Sequence, residues 1–178
     1  MKYFKLIDSP DLKYAPKLKN WYGQFDVRNI RLDKYSKLPE YELFILEPAD
    51  KLIFTDIILF LFLLVSPMIR EVIKMYRDTC YFREFVLLDQ KSEKSGVYYL
   101  PVLSEFKGVQ VVVKSCGENK QVSCIEQYSG KPLIINKNIF WVKDSIKRHT
   151  IISLDFAESL LRRNVKGLGI QEVLLYSK

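Results

Sequence analysis

The chain has 178 residues, enough for one domain that buries about 70% of the surface its unfolded form exposes. Hydrophobic residues make up 48% of it, whereas Gly and Pro number only 7 each, so the composition excludes a disordered or collagen-like chain. Cys80, Cys116 and Cys124 cannot all pair within one chain and lack metal-binding spacing, which favours a reducing compartment. The first residues contain no secretory signal, so we expect a cytoplasmic protein.

The formal net charge of +7 raises the question of an acidic partner. The lysines are spread along the chain, and only residues 147–149 and 162–163 are locally dense in basic side chains. No helix-turn-helix, zinc-finger or RNA-recognition signature is visible. A solvated basic surface is therefore the favoured interpretation, and nucleic-acid binding stays as the alternative.

Residues 1–40 form an irregular N-terminal part, because prolines and turn-forming residues interrupt every apolar stretch. We expect only short strands there, at residues 3–7 and 25–32.

The first unit, residues 41–103, opens with a predicted strand at 41–46. The apolar run at 52–65 that follows is too short to span a membrane, and Asp56 interrupts it. We therefore expect buried core and no membrane association. Asp56 is predicted to cap a helical turn through Phe60, before a buried strand at 62–65.

Ser66-Pro67 is the clearest local signal in the chain. A serine side chain accepts hydrogen bonds from the free N–H groups of a first helical turn, and proline suits the first helical position. A helix is predicted to start here, since apolar residues follow at the spacing of one helical face. Strands are predicted after it at residues 82–88 and 97–103.

The second unit, residues 104–178, contains more β structure. Short apolar runs separated by polar turns predict strands at residues 109–114, 122–127, 133–135, 139–142 and 150–152. Ser153 is predicted to cap a second helix through about Asn164, with Gly167 as its C-terminal cap and a last strand at 170–176.

The two helical segments are similar to each other. Leu64-Val65-Ser66 and Ile151-Ile152-Ser153 open them, and the same offset of 87 positions (153 minus 66) places 86–88 on 173–175. This indicates two related strand–helix–strand units, although Ser-capped helices between apolar strands are common without a duplication. We predict a single α+β domain over residues 1–178, with a mixed, mainly antiparallel sheet and two principal Ser-capped helices.

Catalytic chemistry is not visible in the sequence. His149 is the single histidine and is predicted to be a surface imidazole, so no His pair exists for a metal site. Neither a nucleophile elbow nor a Gly-rich phosphate loop is present. We therefore expect a protein that is not an enzyme and has no metal or cofactor.

A set of core segments resembles a known family, the eleventh immunity-protein family of bacterial polymorphic toxin systems, also called the myxobacterial-type immunity domain. The similarity covers about residues 41–178. In the first unit it rests on Thr55-Asp56-Ile57, Leu64-Val65-Ser66, Ile69-Arg70-Glu71-Val72, Val86-Leu87-Leu88-Asp89 and Val97-Tyr98-Tyr99-Leu100-Pro101. In the second unit it rests on Phe140-Trp141-Val142, Ile151-Ile152-Ser153, Ala157-Glu158-Ser159-Leu160, Lys166-Gly167 and Val173-Leu174.

The resemblance implies a cytoplasmic inhibitor that binds and blocks a cognate toxin domain without catalysis. Its motifs are core strands and helix starts, so it transfers no binding residues. Exposed aromatic side chains are the physical candidates for partner contacts, because Trp and Tyr dominate interface hot spots. We select Trp21, Tyr22 and Tyr35, and the net charge adds the expectation of an acidic face on the toxin.

Overall fold

A computed structural model describes residues 2–9, 14–19, 21–76, 80–107, 109–115, 121–127, 135–143 and 148–176. Over these residues the chain is α+β, with eleven strands and two α-helices in two mixed, mostly antiparallel sheets. The helices are α1 (Pro67–Met75) and α2 (Leu154–Leu161), and Val27–Asn29 and Tyr35–Lys37 are 3₁₀ turns. The strands are β1 (Tyr3–Asp8), β2 (Tyr41–Ile45), β3 (Ile57–Leu59), β4 (Leu63–Val65), β5 (Tyr81–Asp89), β6 (Lys94–Val102), β7 (Val109–Ser115), β8 (Gln121–Gln127), β9 (Ile139–Lys143), β10 (Arg148–Ser153) and β11 (Leu168–Tyr176).

The two sheets share one arrangement. The five-stranded sheet has the order β2-β5-β6-β4-β3, and the six-stranded sheet has the order β7-β8-β11-β1-β10-β9. In the five-stranded sheet, β4 and β5 precede and follow α1, both pair antiparallel with β6 between them, and β2 pairs parallel with β5. In the six-stranded sheet, β10 and β11 precede and follow α2, both pair antiparallel with β1 between them, and β8 pairs parallel with β11. The two strand–helix–strand units therefore have the same topology, as the repeat predicts.

The central strands of the two sheets have different origins. In the first sheet this strand is β6, which follows β5 directly. In the second sheet it is β1, which pairs with both β10 and β11 and belongs to the N-terminal part of the chain. Other described residues of that part also belong to the core, because Leu18, Ile30 and Leu38 are buried in the larger apolar cluster.

Both helices lie against equivalent strands. α1 packs on β4 and β6, and α2 packs on β10 and β1. The helices also contact each other, since the Tyr76 hydroxyl donates to the Asp155 carbonyl over 2.8 Å and its ring meets Phe156 edge-on. One apolar core consequently contains residues of both sheets and both helices.

The six-stranded sheet curls until its edges meet. Phe106 N–H donates to the Trp141 carbonyl and Trp141 N–H to the Ser104 carbonyl, which joins the segment before β7 to β9. The curled sheet encloses a second apolar cluster, in which the Tyr3 hydroxyl donates to the Ile135 carbonyl over 2.7 Å.

A tight joint connects the two halves at Asp56. Its backbone N–H donates to the Lys166 carbonyl, and its carboxylate accepts from the Lys166 N–H, both over 2.9 Å. Gly167 follows with φ of +84°, and a Cβ there would lie 2.6 Å from the Ile57 carbonyl oxygen. The loop before β11 is thereby fixed against the start of β3.

This joint corrects one prediction about the apolar run. Asp56 does not cap a helical turn, because the following residues form strand β3 and pair with β4 in a short hairpin. The Asp56 carboxylate accepts from a backbone N–H 110 residues away instead. The prediction that this run is buried core holds for half of its residues, whereas Phe60 and Leu61 are exposed. Neither described helix, at nine and eight residues, is long enough to cross a membrane.

Three further boundary predictions need correction or lie outside the description. Residues 25–32 form no strand but a 3₁₀ turn, because the Asp26 carboxylate accepts from the Arg28 N–H and closes the chain locally. α2 ends at Leu161, three residues before the predicted end, and a turn in which Asn164 has a positive φ separates it from Gly167, so Gly167 is not the cap of the helix although its φ is positive as predicted. Most of the predicted strand at 133–135 lies outside the described residues, and its last residue, Ile135, is in no strand.

We predict that two glycine substitutions separate backbone strain from crowding. Gly23 has nearly the same φ as Gly167, +85°, but has no atom near its missing Cβ. Gly23→Ala should therefore cost about 1 kcal/mol of unfolding free energy, from the left-handed backbone alone. Gly167→Ala should cost roughly 2 kcal/mol more, because the joint must open. Urea unfolding measures both, and equal losses would contradict the joint.

The helix caps generate a second prediction. The Ser66 hydroxyl accepts from the Ile69 N–H at 3.5 Å, whereas the buried Ser153 hydroxyl accepts from Phe156 N–H at 3.2 Å and also donates to Asn138 at 3.0 Å. Ser66→Ala should cost about 1 kcal/mol, as is usual for a lost N-cap. Ser153→Ala should cost about 2 kcal/mol, because the half-buried side chain of Asn138 also loses its hydrogen bond to the buried Ser153 hydroxyl. Thermal unfolding of both variants checks this order, and the reverse order would contradict it.

Candidate interaction surface

The β3–β4 hairpin ends in an exposed apolar tip. Its turn is closed by a hydrogen bond from the Phe60 N–H to the Phe62 carbonyl. Phe62 is buried beneath the turn, while Phe60 and Leu61 have 43% and 65% of their surfaces exposed. The tip thus combines a fixed base with two large apolar side chains open to solvent.

Two of the three predicted partner-binding residues lie at this tip. The Trp21 ring meets Phe60 edge-on with centroids 5.4 Å apart, and it also contacts Phe62. Tyr22, which is 87% exposed, lies edge-on against Trp21 at 5.7 Å. Trp21, Tyr22, Phe60 and Leu61 together form what we call the tip surface.

Tyr35, the third predicted residue, lies elsewhere. Its ring stacks on Tyr81 at the start of β5, with centroids 4.0 Å apart and planes almost parallel. Arg83 donates to the Tyr35 carbonyl over 3.1 Å, and its guanidinium lies over the same ring. These contacts hold the 3₁₀ turn Tyr35–Lys37 against the five-stranded sheet, apart from the tip surface.

A cleft of about 470 Å³ runs beside the tip surface, between the hairpin and the six-stranded sheet. This volume is within the range of ligand-binding clefts. The hairpin contributes one apolar wall, and strands β1, β9 and β10 contribute the opposite wall. The side chains and backbone that line it belong to Lys5, Leu6, Ile7, Asp8, Val27, Arg28, Ile30, Leu59, Phe60, Leu61, Phe62, Leu63, Trp141, Lys143, Arg148, His149 and Thr150.

The charge of this lining is mostly positive. Arg28, Lys143 and Arg148 contribute three cations, against the single described carboxylate of Asp8, while the Lys5 ammonium group donates to Ser123 of β8 over 3.3 Å. Arg28 is partly neutralised, because its guanidinium donates to Asp26 over 3.0 Å. The cleft therefore suits a negatively charged group better than a positive one.

Arg148 is the best-fixed cation of the cleft. Its Nη1 donates to the Ile30 carbonyl over 2.9 Å, and its guanidinium lies 5.1 Å above the ring of the buried Trp141. Burial lowers the pKa of Arg148, and the charge of Glu105 acts in the opposite direction. Because the ordinary pKa of an arginine side chain lies far above neutral pH, Arg148 stays charged.

A second exposed apolar patch lies on the five-stranded sheet. The register places Leu43, Val86 and Val97 side by side across β2, β5 and β6, and Leu43 and Val97 are exposed. Tyr41 and Glu84 form the next row of the same face. Its residues do not line the cleft described above, so this patch is the weaker candidate for specific binding.

Candidate metal ligands do not converge within the described ranges, where no group of three or more His, Cys, Asp or Glu side chains is placed to hold an ion. Cys80 and Cys124 are not joined in a disulfide, and Cys116 lies outside the described residues. His149, predicted as a surface imidazole, is half-buried on β10 opposite Val142 and lines the cleft.

Comparisons of the chain with protein-family models, with curated proteins and with solved structures give no match. The resemblance to the immunity family therefore rests on the residue pattern alone.

Proposed function

We propose that this chain is an immunity protein, which binds and neutralises a cognate bacterial toxin domain by forming a non-covalent complex in the cytoplasm. The observation that carries the proposal is the tip surface, where four large apolar side chains lie beside a cation-lined cleft. An aromatic centre with polar groups around it is the usual anatomy of a protein–protein interface. The residue pattern described above supplies the class of partner.

Neutralisation in this proposal requires no chemistry from the chain. A preformed surface that buries about 1,200 to 2,000 Å² in total is sufficient for a stable complex. The hairpin base is buried and the Trp21 ring is held by Phe60 and Phe62, so little side-chain order has to be gained on binding. This favours a tight complex with one partner.

A basic nucleic-acid-binding module is the second candidate. The observation that favours it is the proximity of exposed aromatic rings to Lys143 and Arg148, because rings can stack on bases while cations bind phosphates. Leu61 argues against it, since the most exposed side chain of the hairpin itself is aliphatic and offers no ring for stacking. Affinity for nucleic acid would also fall steeply with salt.

The test is co-expression with the toxin domain encoded beside this gene. The wild-type chain should rescue growth and co-purify with the toxin in a one-to-one complex. Leu61→Asp should weaken the complex by about 30-fold or more, as expected for a hot-spot residue at an interface centre.

The matched control is Leu161→Asp, because Leu161 is 55% exposed at the end of α2, outside the tip surface. It should leave the measured Kd unchanged. Rescue without detectable association, or no rescue by the wild-type chain, would contradict the proposed function.

A further inference from the structure

Two cations face each other on the cleft wall, and no carboxylate of the described residues is hydrogen-bonded or ion-paired to either of them. Lys143 on β9 and Arg148 on β10 are direct partners in the antiparallel register. Like charges directly opposite each other in a sheet are destabilising. Arg148 cannot turn away from Lys143 without losing its hydrogen bond to the Ile30 carbonyl, so the arrangement persists despite the repulsion.

The carboxylates near this pair do not remove the imbalance. Among the residues that the structure describes, Asp8 is the single acidic one in the cleft lining, and it is exposed at the end of β1. Glu105 acts on Arg148 electrostatically but lines a separate, smaller cleft. An incoming carboxylate between Lys143 and Arg148 would relieve their repulsion and form charge-assisted hydrogen bonds.

The opposite wall of the cleft is apolar and therefore favours an apolar side chain. The hairpin presents Leu59 and Phe60 to the same cleft, and the volume of about 470 Å³ accommodates more than one side chain. A segment with an acidic residue next to an apolar one would satisfy both walls at once.

We propose that the cleft is the specificity pocket for an acidic segment of the partner protein. A carboxylate of that segment lies between Lys143 and Arg148, and a neighbouring apolar side chain packs against the hairpin. This inference rests on the proposed function, since the segment belongs to the toxin domain. It also predicts that the free chain prefers acidic peptides to neutral ones, and this preference can be measured without the toxin.

The probe is the blocked tetrapeptide Asp-Phe-Asp-Phe, titrated into the ¹⁵N-labelled protein. The chain has two tryptophans, and both are informative, because Trp141 lies in the cleft and Trp21 lies on the tip surface. The Trp141 indole signal should shift and saturate with a Kd of about 1 mM or tighter, which is measurable by this method. Asn-Phe-Asn-Phe should bind at least 10-fold more weakly, since it lacks the charge that the cations bind.

Lys143→Glu should remove the response to the acidic peptide, while Lys37→Glu, an equal change of charge at an exposed position outside the cleft, should keep it. Equal binding of the two peptides, or no shift of Trp141, would overturn the pocket. Tighter binding of the oligonucleotide dT4 than of the acidic peptide would also overturn it in favour of nucleic acid. A peptide result as expected, together with a failed toxin complex, would contradict the proposed function and leave the pocket standing.

Discussion

The contact between Asp56 and Lys166-Gly167 is the constraint on which the arrangement of the two halves depends. It uses both the backbone and the carboxylate of Asp56, and it requires a glycine because a Cβ would collide with the Ile57 carbonyl. The hairpin begins at this joint. Its tip is consequently held opposite β1, β9 and β10, and the cleft exists because the hairpin cannot swing away from the sheet.

The topology adds a second constraint from the start of the chain. Each half has a Ser-capped helix packed on two strands, and in the second half one of those strands is β1. The strand supplies Tyr3 and Leu6 to the two opposite faces of the six-stranded sheet, where they join different cores. The second half is therefore completed by residues that precede the first half in sequence.

Local signals in the sequence predicted the elements whose causes are local. Ser66-Pro67 and Ser153 start helices because an N-cap and a first turn are adjacent in sequence. The α+β class and most strands followed from apolar runs between polar turns. Predictions failed where a residue distant in sequence determines the local contacts, as at Asp56, whose carboxylate accepts from the Lys166 N–H. Residues 25–32 failed because the Asp26 side chain caps a turn within an otherwise strand-like stretch.

The interaction surface was only partly predictable for the same reason. Trp21 and Tyr22 were selected as aromatic residues in an irregular segment, and the structure places them together. Phe60 and Leu61 were missed because they sit inside an apolar run that contains no Gly, Asn or Pro to mark a turn. Tyr35 shows the limit of the argument from residue type, since its ring is stacked on Tyr81 and held by Arg83.

In the proposed account, the joint at Asp56 holds the hairpin rigid, and the hairpin presents the apolar tip surface and the cationic cleft to a protein partner. Hydrogen–deuterium exchange of the chain with and without the toxin domain encoded beside it tests this most directly. Exchange should slow in peptides that cover residues 57–65 and 139–143, because these carry the tip and the cleft wall. Slowing confined to residues 41–45 and 94–102, the other exposed apolar face, would contradict the account.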